Sequence, residues 1–203
     1  MCGSSTTALS EVVGFFDATT FSFPRRFEIN WSRIRDELFG LDPAVLPIHR
    51  RFGHEAYVAA LKSNNGWVPS WQVGSDEPNH EWLTYGLCYR GIFPDEADAK
   101  FPLIACILRE LGDAVIVCAF SLMRRHSFIA PHQHSQLGGD LLTYHLGVKV
   151  EHGLSFLNVQ GRFVEEEEGK SVIFDGSRTH FAVNMSGSDR VILYLEFDRS
   201  KLE

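Results

Sequence analysis

The spacing of apolar positions changes partway along the chain. In the first half they recur three and four apart: Trp31, Ile34 and Leu38 in EINWSRIRDELFG predict a packing helix that Gly40 ends. A second short helix is predicted over His54–Ser63, and a third over Phe101–Leu111. In the third, Pro102 suits a first helical turn, Leu103, Ile107 and Leu111 fall on one side, and Gly112 stops it. The stretch NNGWVPSWQVGSDEPNHEW collects Gly, Pro, Asn and Ser around three tryptophans and reads as an irregular loop, the kind that serves as a lid or binding loop.

Beyond Gly112 the texture becomes short β-rich runs: AVIVCAFSLM, LLTYHLGVKV, LSFLNV, GRFVE, KSVIFD, THFAVNM and RVILYLEF. Turn signals at EHG, VQGR, DGS and SGSD separate most of them. This pattern predicts a mostly β fold, an antiparallel sandwich or barrel, of which a jelly roll fits best, with the preceding helices buttressing one face. A single catalytic domain over residues 1–203 follows, with a helical or irregular part at 1–112 and a jelly-roll core at 113–199. A length of 203 residues with 44% hydrophobic content suits one core rather than two. The acidic run Glu165–Glu168, ahead of Gly169, reads as a solvated turn.

Charge removes some classes of partner. A formal net charge of -7 favours neither nucleic acid nor an anionic membrane surface. No apolar run reaches the roughly 18 residues of a membrane-spanning helix. The four cysteines form no CxxC pair and the opening MCGSSTTALSEVV has no secretory pattern, so the expected setting is reducing and cytoplasmic.

The candidate chemistry lies in the histidines. Of nine, His126, His132, His134, His145 and His152 fall close together, and His180 lies on a later predicted strand. Such clustering invites a metal, although imidazole serves iron, zinc, copper and nickel alike, and hydrogen-bonded histidines would cluster without one.

An ordered set of motifs carries a resemblance. FSLM at Phe120–Met123, IAPH at Ile129–His132, YHLG, VIFDGSRTH and the later Arg190 follow one another as in the catalytic core of the aspartyl/asparaginyl β-hydroxylases, which are iron(II)- and 2-oxoglutarate-dependent oxygenases. Upstream, NWSRIRDEL and FPLIACILREL are similar to that family's helical portion. The resemblance implies a cupin-like double-stranded β-helix using Fe(II), 2-oxoglutarate and O2 to hydroxylate an unactivated C–H bond of an amino acid, peptide or small metabolite. It implies that His132 and His180 hold the metal, from strands expected to face each other across the barrel mouth. It further implies that Arg190 grips the distal carboxylate of 2-oxoglutarate, with Ser121 adding a hydrogen bond and His145 touching the metal-side carboxylate. Asp175 is expected to be a turn or orienting residue.

The chain departs from the family pattern in three places. At His132-Gln133-His134 an imidazole stands where related enzymes carry a carboxylate or leave a water, so His134 is a candidate third ligand. Gly138-Gly139-Asp140 lengthens the segment after it, and Thr143 replaces the family's substrate-gripping arginine, which makes peptidyl aspartate a doubtful substrate. Two other functions stay open: a three-histidine cupin-type dioxygenase that needs no 2-oxoglutarate, and a non-catalytic metal-binding module.

Overall fold

The computed structural model describes residues 11–12, 14–46, 66–74 and 77–202, so the helix expected over His54–Ser63 lies outside the described residues. The helix Trp31–Phe39 forms as its spacing predicts: it buries Ile34 and Leu38, and the Gly40 N–H donates to the carbonyls of Asp36 and Glu37. Helix Pro102–Leu111 begins at its proline but is rotated from expectation, burying Ile104, Ala105, Ile107 and Leu108 while Leu103 and Leu111 stay half-buried. Glu37 fixes this orientation. Its carboxylate accepts the otherwise unpaired N–H groups of Leu103 at 2.6 Å and Ile104 at 3.2 Å, which joins the two helices end to side.

Two antiparallel sheets form the jelly roll. The larger has the order β1-β2-β10-β7-β12-β5-β4-β3, comprising Glu11–Val12, Phe15–Phe16, Ser171–Phe174, Leu141–Lys149, Arg190–Asp198, Val115–Met123, Pro78–Tyr89 and Val68–Trp71. The smaller is β6-β11-β8-β9, comprising Ser127–His132, His180–Asn184, Ser155–Val159 and Arg162–Glu165. All seven β-rich runs are strands. The tryptophan-rich stretch read as a loop instead holds β3 and the start of β4. Its prolines sit where a sheet tolerates a missing N–H: Pro69 on the outermost strand, Pro78 at the first residue of its own.

The outer face of the large sheet, with Phe120, Tyr144, Leu146, Leu193 and Leu195, packs on Phe23, Phe27, Ile34, Leu38, Ile104 and Leu108 from the helices, as the buttress expectation required. The inner face meets the small sheet through a lesser apolar cluster that includes Trp82, Met123, Ile129, Leu157, Phe174 and Ala182. Pairing fixes which polar side chains share that inner face. Arg190 lies opposite Met123, Ile192 opposite both Ser121 and Gly147, and Tyr194 opposite His145. Residues directly paired across strands point the same way, as do residues two apart, so Ser121, His145, Arg190 and Tyr194 all project into the barrel.

Gly147, the glycine of YHLG, is required by a close approach. A Cβ there would lie 1.9 Å from the Glu167 carbonyl oxygen. The acidic run passes directly against β7 at this point, with the Gly169 N–H donating to the Gly147 carbonyl at 2.9 Å. Gly147→Ala should therefore lower unfolding free energy by at least about 2 kcal/mol, the scale of a core overpacking clash, as read from urea denaturation. A variant as stable as the parent would mean that the crossing segment is free to move away.

Candidate metal centre

His132 is the last residue of β6 and His180 the first of β11, and the two are paired directly across neighbouring strands. This differs from the expected placement on strands facing each other across the barrel mouth. Direct pairing brings side chains closer than opposition would, and the ring centroids are 4.3 Å apart. His134 follows two residues after the end of β6, held by its backbone N–H to the Gly176 carbonyl at 3.0 Å. Its ring lies 5.2 Å from that of His132 and 5.1 Å from that of His180. The three imidazoles offer nitrogens that all lie within 4.8 Å of one another.

Hydrogen bonding fixes the tautomers. Nδ1 of His132 lies 2.8 Å from the Ala130 carbonyl, and Nδ1 of His180 lies 2.8 Å from the Arg178 carbonyl. A carbonyl only accepts, so each Nδ1 carries the proton and each Nε2 keeps its lone pair for a metal. At His134, Nδ1 faces the Tyr194 hydroxyl at 3.4 Å, and that hydroxyl donates to Glu196 at 2.6 Å. The tyrosine proton is therefore engaged, and His134 Nδ1–H is the donor to its oxygen. All three residues present the same nitrogen, and the donor set fits a transition metal bound by imidazole.

Burial, followed by the neighbouring His132, pushes the His180 imidazole down to about 3, and burial also lowers His132. Both are neutral at physiological pH, as ligation requires. Trp71 and Trp82, 4.8 Å apart by ring centroid, wall the cluster on one side. They stand 6.3 and 5.8 Å from the His132 ring. Phe174 meets His180 edge-on at 5.2 Å.

Of the residues assigned to the cosubstrate, all three reach the barrel interior, but two are bound to a carboxylate the sequence reading placed in solvent. Glu166 is 2% exposed. Arg190, equally buried, directs Nε at 2.9 Å and also Nη2 onto Glu166 Oε2, while His145 Nδ1–H donates to Oε1 at 2.8 Å. Burial alone would raise the Glu166 carboxyl, yet the Arg190 charge and the His145 hydrogen bond outweigh it and hold it down to about 2. Burial lowers His145, which stays neutral. Ser121 accepts the Trp82 indole N–H at 3.0 Å. The residues present thus suit a metal, and the Nε edge of Arg190, expected to grip 2-oxoglutarate, is turned onto Glu166.

The solvated-turn reading of Glu165–Glu168 holds for only part of the run. Glu165 approaches the exposed His152 at 2.9 Å, whereas Glu166 turns inward. The missed signal was the inward Arg190, which needs a counter-charge in a dry barrel, beside His145 on the neighbouring strand, whose ring N–H needs an acceptor. Asp175 is the turn residue it was expected to be. It accepts from Ser177 N–H and from Arg178 Nε, both at 3.0 Å, and so shapes the turn whose Arg178 carbonyl orients His180. Thr143 is buried opposite Glu196.

The His180 shift has a sign that can be tested. In the unfolded chain its imidazole takes up a proton near its ordinary 6.5, whereas in the fold it does so only near 3. Stability is therefore fully present above 6.5 and is lost as pH falls, by up to about 1.4 kcal/mol per pH unit from this group. Urea denaturation of the metal-free chain between pH 7 and pH 5 should show a steeper decline than the same series on His180→Phe. Equal slopes would contradict it.

Comparison with known proteins agrees with the motif order. The family description "Aspartyl/Asparaginyl beta-hydroxylase" matches residues 28–200. Uncharacterized protein L888 of Acanthamoeba polyphaga mimivirus is 26% identical over 137 residues, covering 66% of this chain and 49% of the viral protein. The chain thus spans about half the length of that curated relative. Among solved structures, a 2OG-Fe(II) oxygenase family oxidoreductase from Burkholderia pseudomallei superposes with a TM-score of 0.45 at 16% identity, covering 79% of this chain and 97% of that one. The Cupin_2 domain of an XRE family transcriptional regulator from Enterobacter cloacae gives a TM-score of 0.41 at 11% identity, covering 58% of this chain and 97% of that one. The family match extends over nearly the whole described chain, including all three clustered histidines, and the protein belongs to the aspartyl/asparaginyl beta-hydroxylase family.

Proposed function

We propose that this protein is an iron(II)-dependent oxygenase that transfers oxygen from O2 to a small organic molecule or peptide, with His132, His134 and His180 as its metal ligands. The observation that carries the reading is the convergence of three imidazole nitrogens within 4.8 Å, each with its second ring nitrogen held by a hydrogen bond. Family membership supports iron among the metals that imidazole accepts. The three imidazoles would hold the iron, and the iron when bound would supply the oxygen chemistry.

The chain's own residues supply placement. The carbonyls of Ala130 and Arg178 fix two of the rings, and Tyr194 with Glu196 steadies the third. Trp71 and Trp82 form an apolar wall that limits water at the centre and gives an organic substrate a surface to lie against.

Calorimetry on the metal-free chain should give one iron(II) per chain. His132→Ala and His180→Ala should each weaken iron binding by at least about a hundredfold and stop oxygen consumption, a larger loss than follows from disturbing an outer hydrogen bond alone. His134→Gly should also weaken binding, since it removes a ligand; iron affinity equal to the parent's would show that His134 stands outside the coordination sphere. Full oxygen consumption by His132→Ala or His180→Ala would remove the metal reading.

A further inference from the structure

The two groups in the barrel best placed to grip an acidic cosubstrate are already engaged. Arg190 has its Nε–H and an Nη2–H on one oxygen of Glu166, and His145 is on the other at 2.8 Å. Arg190 and Glu166 side chains are each 1% exposed. Their charges cancel, and His145 is neutral. A second carboxylate arriving here therefore meets no net positive charge.

This engagement is set by the backbone and does not depend on a side chain swinging in from solvent. The Glu166 N–H donates to the Ser155 carbonyl at 2.9 Å, which extends the β8–β9 hairpin by one residue. The next residues then run against Gly147, where even a methyl group would collide with the Glu167 carbonyl. Both ends of the segment are fixed, and Glu166 is directed at Arg190 between them.

We propose that Glu166 is a built-in carboxylate that neutralises Arg190 from within the fold, so that this iron centre works without 2-oxoglutarate and the organic substrate supplies all four electrons that dioxygen requires. The proposal rests on the oxygenase reading above. In such a reaction the O–O bond breaks, both oxygen atoms form bonds to substrate atoms, and the substrate is oxidised by four electrons. One substrate and one O2 give one product, with no succinate, carbon dioxide or external reductant. The substrate class is accordingly an electron-rich molecule able to bind iron itself, rather than an unactivated hydrocarbon position. For 2-oxoglutarate to bind in the expected mode it would have to share one buried guanidinium with Glu166, placing two carboxylates on a single positive charge, or expel Glu166 and leave a buried carboxylate without its counter-ion; either weakens binding by more than about a hundredfold.

The test uses the full chain loaded with iron(II) under argon, with metal content measured first. 2-Oxoglutarate is then titrated in, followed by calorimetry and by the visible charge-transfer band that a chelated 2-oxo acid gives. The parent should show no saturation up to about millimolar concentration. Glu166→Ala should acquire saturable binding at least about a hundredfold tighter, and Glu166→Gln, which keeps the shape but removes the charge, a smaller gain. A parent that saturates at micromolar 2-oxoglutarate overturns the proposal, as does a folded Glu166→Ala that gains nothing. If neither variant folds, the parent titration decides alone. Failure of the metal reading shows separately, as absence of iron in the loaded protein. Glutarate, which lacks the chelating oxo group, is then titrated against the metal-free parent and variants by NMR, and the same comparison reads Arg190 without the metal.

Discussion

The ion pair between Glu166 and Arg190, with His145 on the second carboxylate oxygen, is the constraint on which the barrel interior depends. Two opposite charges buried together gain little over an apolar pair of the same size, but either one alone would be severely destabilising. The fold must therefore deliver both to one place. Arg190 comes from the first residue of β12 and His145 from the neighbouring β7. Glu166 arrives on a segment that reaches them because Gly147 has no side chain. Because the carboxyl is held down to about 2, the pair remains charged across the neutral and mildly acidic range.

The metal cluster sits beside this pair and is built on a different principle. Burial, together with the neighbouring imidazoles, makes protonation of His132 and His180 costly. A cavity lined by neutral nitrogens with lone pairs facing one another is satisfied by a cation. The two arrangements meet through Tyr194, whose ring lies 5.6 Å from His145 and 6.3 Å from His134. One inner strand, β12, thus carries Arg190, Tyr194 and Glu196 in alternation, serving the ion pair at one end and the third imidazole at the other.

Much of the architecture was legible because strand alternation and glycine turns are local signals. The seven runs after Gly112 are strands, and the helix at Trp31–Phe39 begins and stops where its spacing and Gly40 indicate. β3 was hidden by Pro69 and Trp71 in what looked like loop composition, since an edge strand tolerates a proline that an inner strand would not. β6, SFIAPH, is absent from the runs that composition marks because it carries Pro131, and only the expected strand placement of His132 pointed to it. The metal candidates were legible from motif order, but the direct pairing of His132 with His180 was not, because register depends on partners far away in sequence. Glu166 was the deepest omission. A run of four carboxylates reads as a solvated face, and nothing local to the run distinguishes the one that turns inward.

X-ray absorption spectroscopy of the iron(II)-loaded chain, recorded before and after adding 2-oxoglutarate, tests both arrangements at once. Outer-shell scattering counts coordinated imidazoles. Three imidazoles and a spectrum unchanged by 2-oxoglutarate are expected from a His132, His134 and His180 centre whose neighbouring arginine is already occupied by Glu166. Two imidazoles, with a shell that reorganises when 2-oxoglutarate is added, would contradict it.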